Sequence, residues 1–200
     1  MGRVKREHPK HKFSGEKWRT NTTNKKYLAI DFKGRCAYCD DLDFYYGGQR
    51  NFHVEHFAPK EKFPALKYVY ENLLYSCPYC NSAKSDTWPS DNPMVNVVGD
   101  RGFVNPCKDE YDQHLERDSS GKIFAKTQLG EYMIVNLKLL LHRHELFFKL
   151  EQVEEKKQLL ENTIERERLA GKDISVKQSA LDSLNNDFFE YYTKWKSLKD

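Results

Sequence analysis

The chain has 200 residues, 38% hydrophobic and 32% charged, with a formal net charge of +3. That length allows one domain with a sizeable core, or a small domain with an appendage. No apolar run approaches the ~18 residues of a membrane helix, and the basic start "MGRVKREHPKHKF" leads into no secretory apolar stretch, so no membrane association is expected and the protein reads as cytoplasmic.

Residues 1–35 hold eleven Lys/Arg against three Asp/Glu, whereas the remaining 165 hold 22 against 27. Such a block reads either as an arm that meets phosphates or as a solvated tail that only aids solubility. Residues 1–24 lack periodicity, with Trp18 as an anchor to the body. "NKKYLAIDFKGRCAYC" (24–39) has apolar residues at 27, 28, 30 and 32, which predicts a short helix ending near Gly34. "RNFHVEHF" (50–57) alternates and is rich in aromatic and β-branched residues, a strand pattern. Residues 58–71 contain two prolines and read as a loop. "NLLYSC" (72–77) is a second short strand, and a helix starting within "CNSAKSD" (80–86) would have Asn or Ser near its cap.

Pro89, Pro93, Gly99, Gly102 and Pro106 make residues 87–110 a long irregular crossing, and the Ser-Ser-Gly of "HLERDSSGKIFAK" (114–126) predicts a hairpin. From residue 129 the apolar positions follow helical spacing, Met133 to Ile164, until "AGKD" (170–173) breaks the pattern. Leu181, Leu184, Phe188, Tyr191, Trp195 and Leu198 then form an amphipathic stripe. The expectation is a long helix folding back into an antiparallel hairpin, with the stripe packed on its neighbour or docked to a partner.

Four of the five cysteines form two Cys-x-x-Cys pairs, Cys36/Cys39 and Cys77/Cys80. Two such knuckles can supply four thiolates in a tetrahedron, the closed geometry of a structural Zn²⁺ site. Redox dithiols or coincidentally buried cysteines are the competing readings. Cys107 stands alone and is expected as a buried thiol rather than a fifth ligand. The 37 residues between the knuckles (40–76) exceed the ~15–20 of a simple zinc ribbon, so something is housed there.

What is housed is "NFHVEHFAPK" (51–60). Glu55 and His56 are strand neighbours and should face opposite ways unless the strand ends or bulges there. Ligation by Cys80 would fix the adjacent Asn81 at the start of a helix. A hard cation such as Mg²⁺ or Mn²⁺ prefers a few oxygen ligands, which Glu55 and Asn81 offer. His56, neutral near pH 7, suits a general base for a water nucleophile. His53 could be an extra ligand, a phosphate contact, or a histidine packed near Tyr45 or Tyr46.

"CAYC … HVEHFAPK … ENLLYSCPYCNSAKSD" (36–86) resembles the HNH endonucleases, the ββα-metal nucleases, in their four-cysteine zinc form. The resemblance implies metal-dependent hydrolysis of phosphodiesters in DNA. It places His56 as general base, Asn72 as the residue that orients it, and Asn81 at the final motif position. Glu55 stands where aspartate is usual, which keeps the carboxylate but lengthens its reach. Lys84 matches a lysine that could face a phosphate, or is a solvated helix lysine; with Lys60 and His53 it completes the expected substrate contacts. "NPCKDEYDQHLERDSSGKIFAKTQLGEY" and "IVNLKLLLHRHELF" further resemble HNH proteins of retron- and Septu-associated anti-phage defence systems. That resemblance implies a partner ATPase.

The expected fold is therefore α+β, a small zinc-stabilised ββα-metal core with a helical C-terminal hairpin. Its expected parts are a basic arm (1–24), the HNH nuclease domain (25–128) and a helical region (129–200). A zinc ribbon that binds nucleic acid without cutting needs the same cysteines but has no use for Glu55 and His56. A zinc deaminase would use "HVE" with "SCPYC", yet Ser76 replaces the expected proline and His56, Asn72 and Asn81 lose any role.

Overall fold

A computed structural model describes residues 2–14 and 20–198; Trp18, the expected anchor, lies outside them. The chain divides into two compact units, residues 1–141 and 142–200.

In the first unit, helix α1 (Asn21–Asp31) starts where the Thr20 hydroxyl caps Thr23 N–H. It stops as expected at Gly34, whose φ of 70° lets its N–H reach Ala29 O at 2.8 Å. Strands β1 (His53–His56) and β2 (Leu73–Ser76) pair antiparallel, with Glu55 opposite Leu74 and His56 opposite Leu73. All four β2 residues are buried, which explains why "LLYS" reads as an unbroken apolar run rather than an alternation. Helix α2 (Pro78–Lys84) follows directly, giving a ββα unit. It begins earlier than the sequence indicated. Pro78 presets the first helical φ, and the Cys77 sulfur caps Cys80 N–H at 3.4 Å, a role expected of Asn or Ser.

The crossing at 87–110 carries a small ladder the sequence reading missed, β3 (Val97–Val98) with β4 (Arg101–Gly102). A Cβ at Gly102 would sit 2.0 Å from Asn96 O, so only glycine lets the two backbones close. After a single helical turn, α3 (Tyr111–His114), the expected hairpin forms from β5 (Leu115–Arg117) and β6 (Ile123–Ala125). Asp118 holds its turn by accepting from Ser120 N and Lys122 N.

The periodicity from 133 to 164 does not make one helix. Helix α4 (Gln128–Asn136) packs on β6 and β4 of the first unit, and Lys138 turns the chain with φ 53°. Leu137 and Leu139 are both buried in the core. Side chains two apart cannot share one helical face, so burying both requires the break.

The second unit is the expected helical hairpin, α5 (His142–Leu169) and α6 (Ser175–Ser197), joined through Gly171 at φ 68°. Trp195 meets Phe147 edge-on at 5.6 Å, and Lys157 lies 4.8 Å from the Phe188 ring. The α6 stripe thus faces α5. Among the described residues no helix is long and apolar enough to cross a membrane.

The sulfurs of Cys36, Cys39, Cys77 and Cys80 lie within 4.8 Å of one another, all fully buried, a set that can hold a metal ion. Remote segments grip the first knuckle. The buried Lys5 donates to Cys36 O at 3.2 Å and Ala37 O at 2.9 Å, Tyr111 OH to Tyr38 O at 2.9 Å, and Arg117 to Cys39 O at 2.5 Å. The described N-terminal residues, 2–14, are correspondingly docked. Gly2 pairs with Arg117, His8 donates to Pro106 O at 2.9 Å, and His11 donates to Leu73 O at 2.7 Å. Cys107 stays outside the sulfur cluster, and burial pushes its thiol up to about 12.

Because metal binding at such a cluster is coupled to folding, Cys77→Ser should abolish cooperative unfolding of the first unit and its metal binding. Thermal melts by circular dichroism and elemental analysis check this. A stable, metal-free variant would contradict it.

Candidate active site

The ββα unit forms one wall of a cleft of about 1110 Å³, lined by His53, Glu55, His56, Lys60 and Asn81 among others. Glu55 and His56 both reach it although they are strand neighbours. β1 ends at His56, where the chain turns away, so the alternation stops there.

His56 is 7% exposed, and its Nε2 lies 3.0 Å from Lys67 O. A carbonyl can only accept, so Nε2 carries the hydrogen and Nδ1 keeps the lone pair. Burial pushes the His56 pKa below its usual 6.5, and the Lys67 carbonyl restores part of it. Asn72 does not touch the imidazole. Its Oδ1 accepts from Ala58 N at 2.8 Å, and its Nδ2 donates to Ala58 O at 3.0 Å and Leu66 O at 3.4 Å. Asn72 therefore staples together the loop whose Lys67 carbonyl holds the ring, one step further back than the resemblance implied.

Glu55 is 5% exposed. Burial raises its pKa, and the Lys84 ammonium, 2.8 Å from Oε1, pulls it back. Tyr38 OH addresses the same oxygen at 3.4 Å. Lys84 neither faces a phosphate nor lies solvated. It is fully buried, donates to His56 O at 3.2 Å, and has the Phe103 ring 5.4 Å away. The reason is its place at the C-terminal end of α2, which points it beneath the strand pair rather than into the cleft. A buried carboxylate needs such a partner.

His53 is exposed at the cleft wall rather than packed, and the four cysteines close on one another without it, which removes the ligand that a deaminase would need. Lys60 is half-exposed with its ammonium 4.0 Å from Glu61. Asn81 is half-buried in the first turns of α2, adjacent to Cys80. Missed from the sequence were Lys25, Lys26 and Arg50, which also line the cleft. Their only signal was the basic "NKKY", read as part of a helix and not as one side of a site. The Lys67 carbonyl left no signal, since a backbone atom has none.

Four buried cysteines lie under a ββα unit with a pinned histidine and a buried carboxylate at its strand end, and residues 36–87 match the family model described as HNH endonuclease. The particular relatives are Septu proteins. The chain is 29% identical to Septu protein PtuB of Bacillus mycoides (strain KBAB4) over 185 residues, covering 80% of this chain and 55% of the relative. It is 28% identical to Septu protein PtuA of the same strain over 142 residues, covering 62% of this chain and 20% of that one. Septu protein PtuB of Bacillus thuringiensis is 36% identical over 67 residues, 33% of this chain and 25% of the relative. The chain thus spans about half or less of the length of the curated relatives it matches. No solved structure matches it.

Removing one member of a buried ion pair strands the other charge. Lys84→Met should therefore destabilise the first unit by about 3–5 kcal/mol, with Glu55→Gln added to it recovering part of the loss. Urea denaturation of the single and double variants measures both.

Proposed function

We propose that the chain is a metal-dependent HNH endonuclease that hydrolyses phosphodiester bonds in DNA. The observation that carries this reading is His56: its Nε2 is tied to the Lys67 carbonyl, its Nδ1 carries the lone pair, and Glu55 and Asn81 line the same cleft. A zinc ribbon that only binds would have no need for a buried carboxylate and a pinned imidazole at one strand end.

The four cysteines suit a structural Zn²⁺. Glu55 and Asn81 suit a harder ion, Mg²⁺ or Mn²⁺, because both offer oxygen. When bound there, such an ion would polarise the scissile phosphate and stabilise the leaving oxygen. The protein's own part is as follows. Lys84 holds one oxygen of Glu55 and compensates its charge in a buried setting. Asn72 fixes the loop, the loop fixes the His56 ring, and His56 Nδ1 takes the proton of the attacking water. Lys60 and His53, which line the cleft, would meet the substrate phosphates.

The relatives named Septu proteins, together with the likeness of the region after residue 104 to Septu-associated HNH proteins, support a role as the nuclease component of an anti-phage defence system. We propose a partner ATPase for the same reason.

A plasmid-nicking assay tests the enzymatic reading. Wild type should nick only with added Mg²⁺ or Mn²⁺, and His56→Ala should lose at least two orders of magnitude in rate while keeping its metal content and melting point. Unimpaired cleavage by that variant would remove His56 from the chemistry. The pH profile adds a check with a definite sign. A base whose pKa lies below 6.5 is still neutral at pH 6.5, so the acid limb should fall below that value. Glu55, which must be ionised to hold the ion, steepens the same limb.

A further inference from the structure

Three basic residues that line the cleft have no part in the candidate catalytic set. Lys25 and Lys26 come from α1, and Arg50 comes from the 3₁₀ turn Gln49–Asn51. Helix and turn are latched to each other. Lys25 Nζ donates to Arg50 O at 2.7 Å, and Gln49 Nε2 donates to Lys25 O at 3.2 Å. The latch holds the Lys25 ammonium at the Arg50 backbone, and the Lys25 charge also reaches His53, adding to the burial that holds that imidazole below its usual range.

Among the described residues no carboxylate is ion-paired to this group, although Glu61 and Asp86 also line the cleft. Lys26 and Arg50 are exposed, and among the described residues neither has an ion-pair partner. The first turn of α1 contains no acidic residue, and Thr22 in that turn lines the same cleft. The positive end of the helix dipole thus adds to the three side chains instead of being neutralised. Solvated lysines on a helix need neither the latch nor a common cleft with the proposed general base.

We propose that Lys25, Lys26 and Arg50 form a preset track for the sugar–phosphate backbone of DNA, holding the strand beside the His56 end of the cleft. The proposal rests on the nuclease reading and deepens it by naming what binds the substrate. Lys25 acts partly through the latch, and Lys26 and Arg50 are the exposed contacts. Contacts of this kind read charge and not sequence, so affinity should vary little with base composition and fall steeply with salt.

The test measures fluorescence anisotropy of duplex DNA of scrambled sequence across a salt series, in a His56→Ala background that leaves the DNA uncut. Adding Lys26→Gln and Arg50→Gln should lower the slope of log affinity against log salt by about 2, one for each phosphate no longer neutralised. At about 0.1 M salt that slope change corresponds to tens-fold weaker binding. The control carries Lys156→Gln and Lys172→Gln, exposed lysines of the second unit with the same change in net charge, and should keep the slope. An unchanged slope in the Lys26/Arg50 variant, or an equal drop in the control, overturns the track. Nicking by the wild type separates the two failures. If it nicks and the slope is unaffected by Lys26 and Arg50, the track alone is wrong. If it neither nicks nor binds, the nuclease reading falls with it. Unchanged melting points exclude misfolding as the cause.

Discussion

The convergence of Cys36, Cys39, Cys77 and Cys80 joins two short turns, one without regular structure and the other the first turn of α2. Between those turns lies everything that shapes the ββα wall of the cleft: β1, the loop to residue 72, β2 and the start of α2. A two-stranded ladder of four residues per strand is too small to be stable by itself. Here it is clamped at one end by sulfur and backed by apolar side chains such as Leu73, Leu74 and Tyr75. Placing Cys80 also places Asn81, and placing Cys77 sets the start and direction of α2, hence the position of Lys84. The metal-ligand chemistry and the candidate catalytic geometry are therefore one construction. A fault in the former cannot leave the latter intact.

The polar groups behind the cleft form a chain of dependence that runs through backbone as much as side chain. Asn72 uses both ends of its amide on the loop at Ala58 and Leu66. The loop presents a carbonyl, and the carbonyl selects the His56 tautomer. Lys84 similarly serves two masters, the Glu55 carboxylate and the His56 carbonyl. Both arrangements are buried, so each interaction acts in a medium where its loss is costly. Rigidity is what such networks provide, and here it fixes the orientation of the His56 ring.

Much of this was legible in the sequence, and what was not has definite causes. The Cys-x-x-Cys spacing announced the sulfur cluster, and the alternation of "NFHVEH" announced β1. Gly34 and the Ser-Ser-Gly turn marked ends that the structure keeps. Helical periodicity, by contrast, continued across 137–141 because leucines there serve two burial demands that no single helix meets. Lys84 reads as a surface lysine by composition, and only the depth of Glu55 beneath it explains its burial. Asn72 was expected to meet His56 directly, whereas its amide bonds Ala58 and Leu66 and a main-chain carbonyl stands between it and the ring. The α1 side of the cleft stayed hidden for a simpler reason: residues 25 and 50 meet only in three dimensions.

The way Gly2–Lys5 is tied down has a consequence for how the protein is made. Gly2 exchanges both backbone hydrogen bonds with Arg117, at 2.8 Å each, and Arg117 in turn holds the Cys39 carbonyl. During synthesis the early segment must wait, undocked, until the hairpin at 115–125 has left the ribosome. The first knuckle likewise lacks part of its backing until then. Contacts between such distant positions slow folding, and in this chain they postpone completion of the cleft until most of the first unit exists. The cleft is thereby kept unassembled while the chain is still being translated.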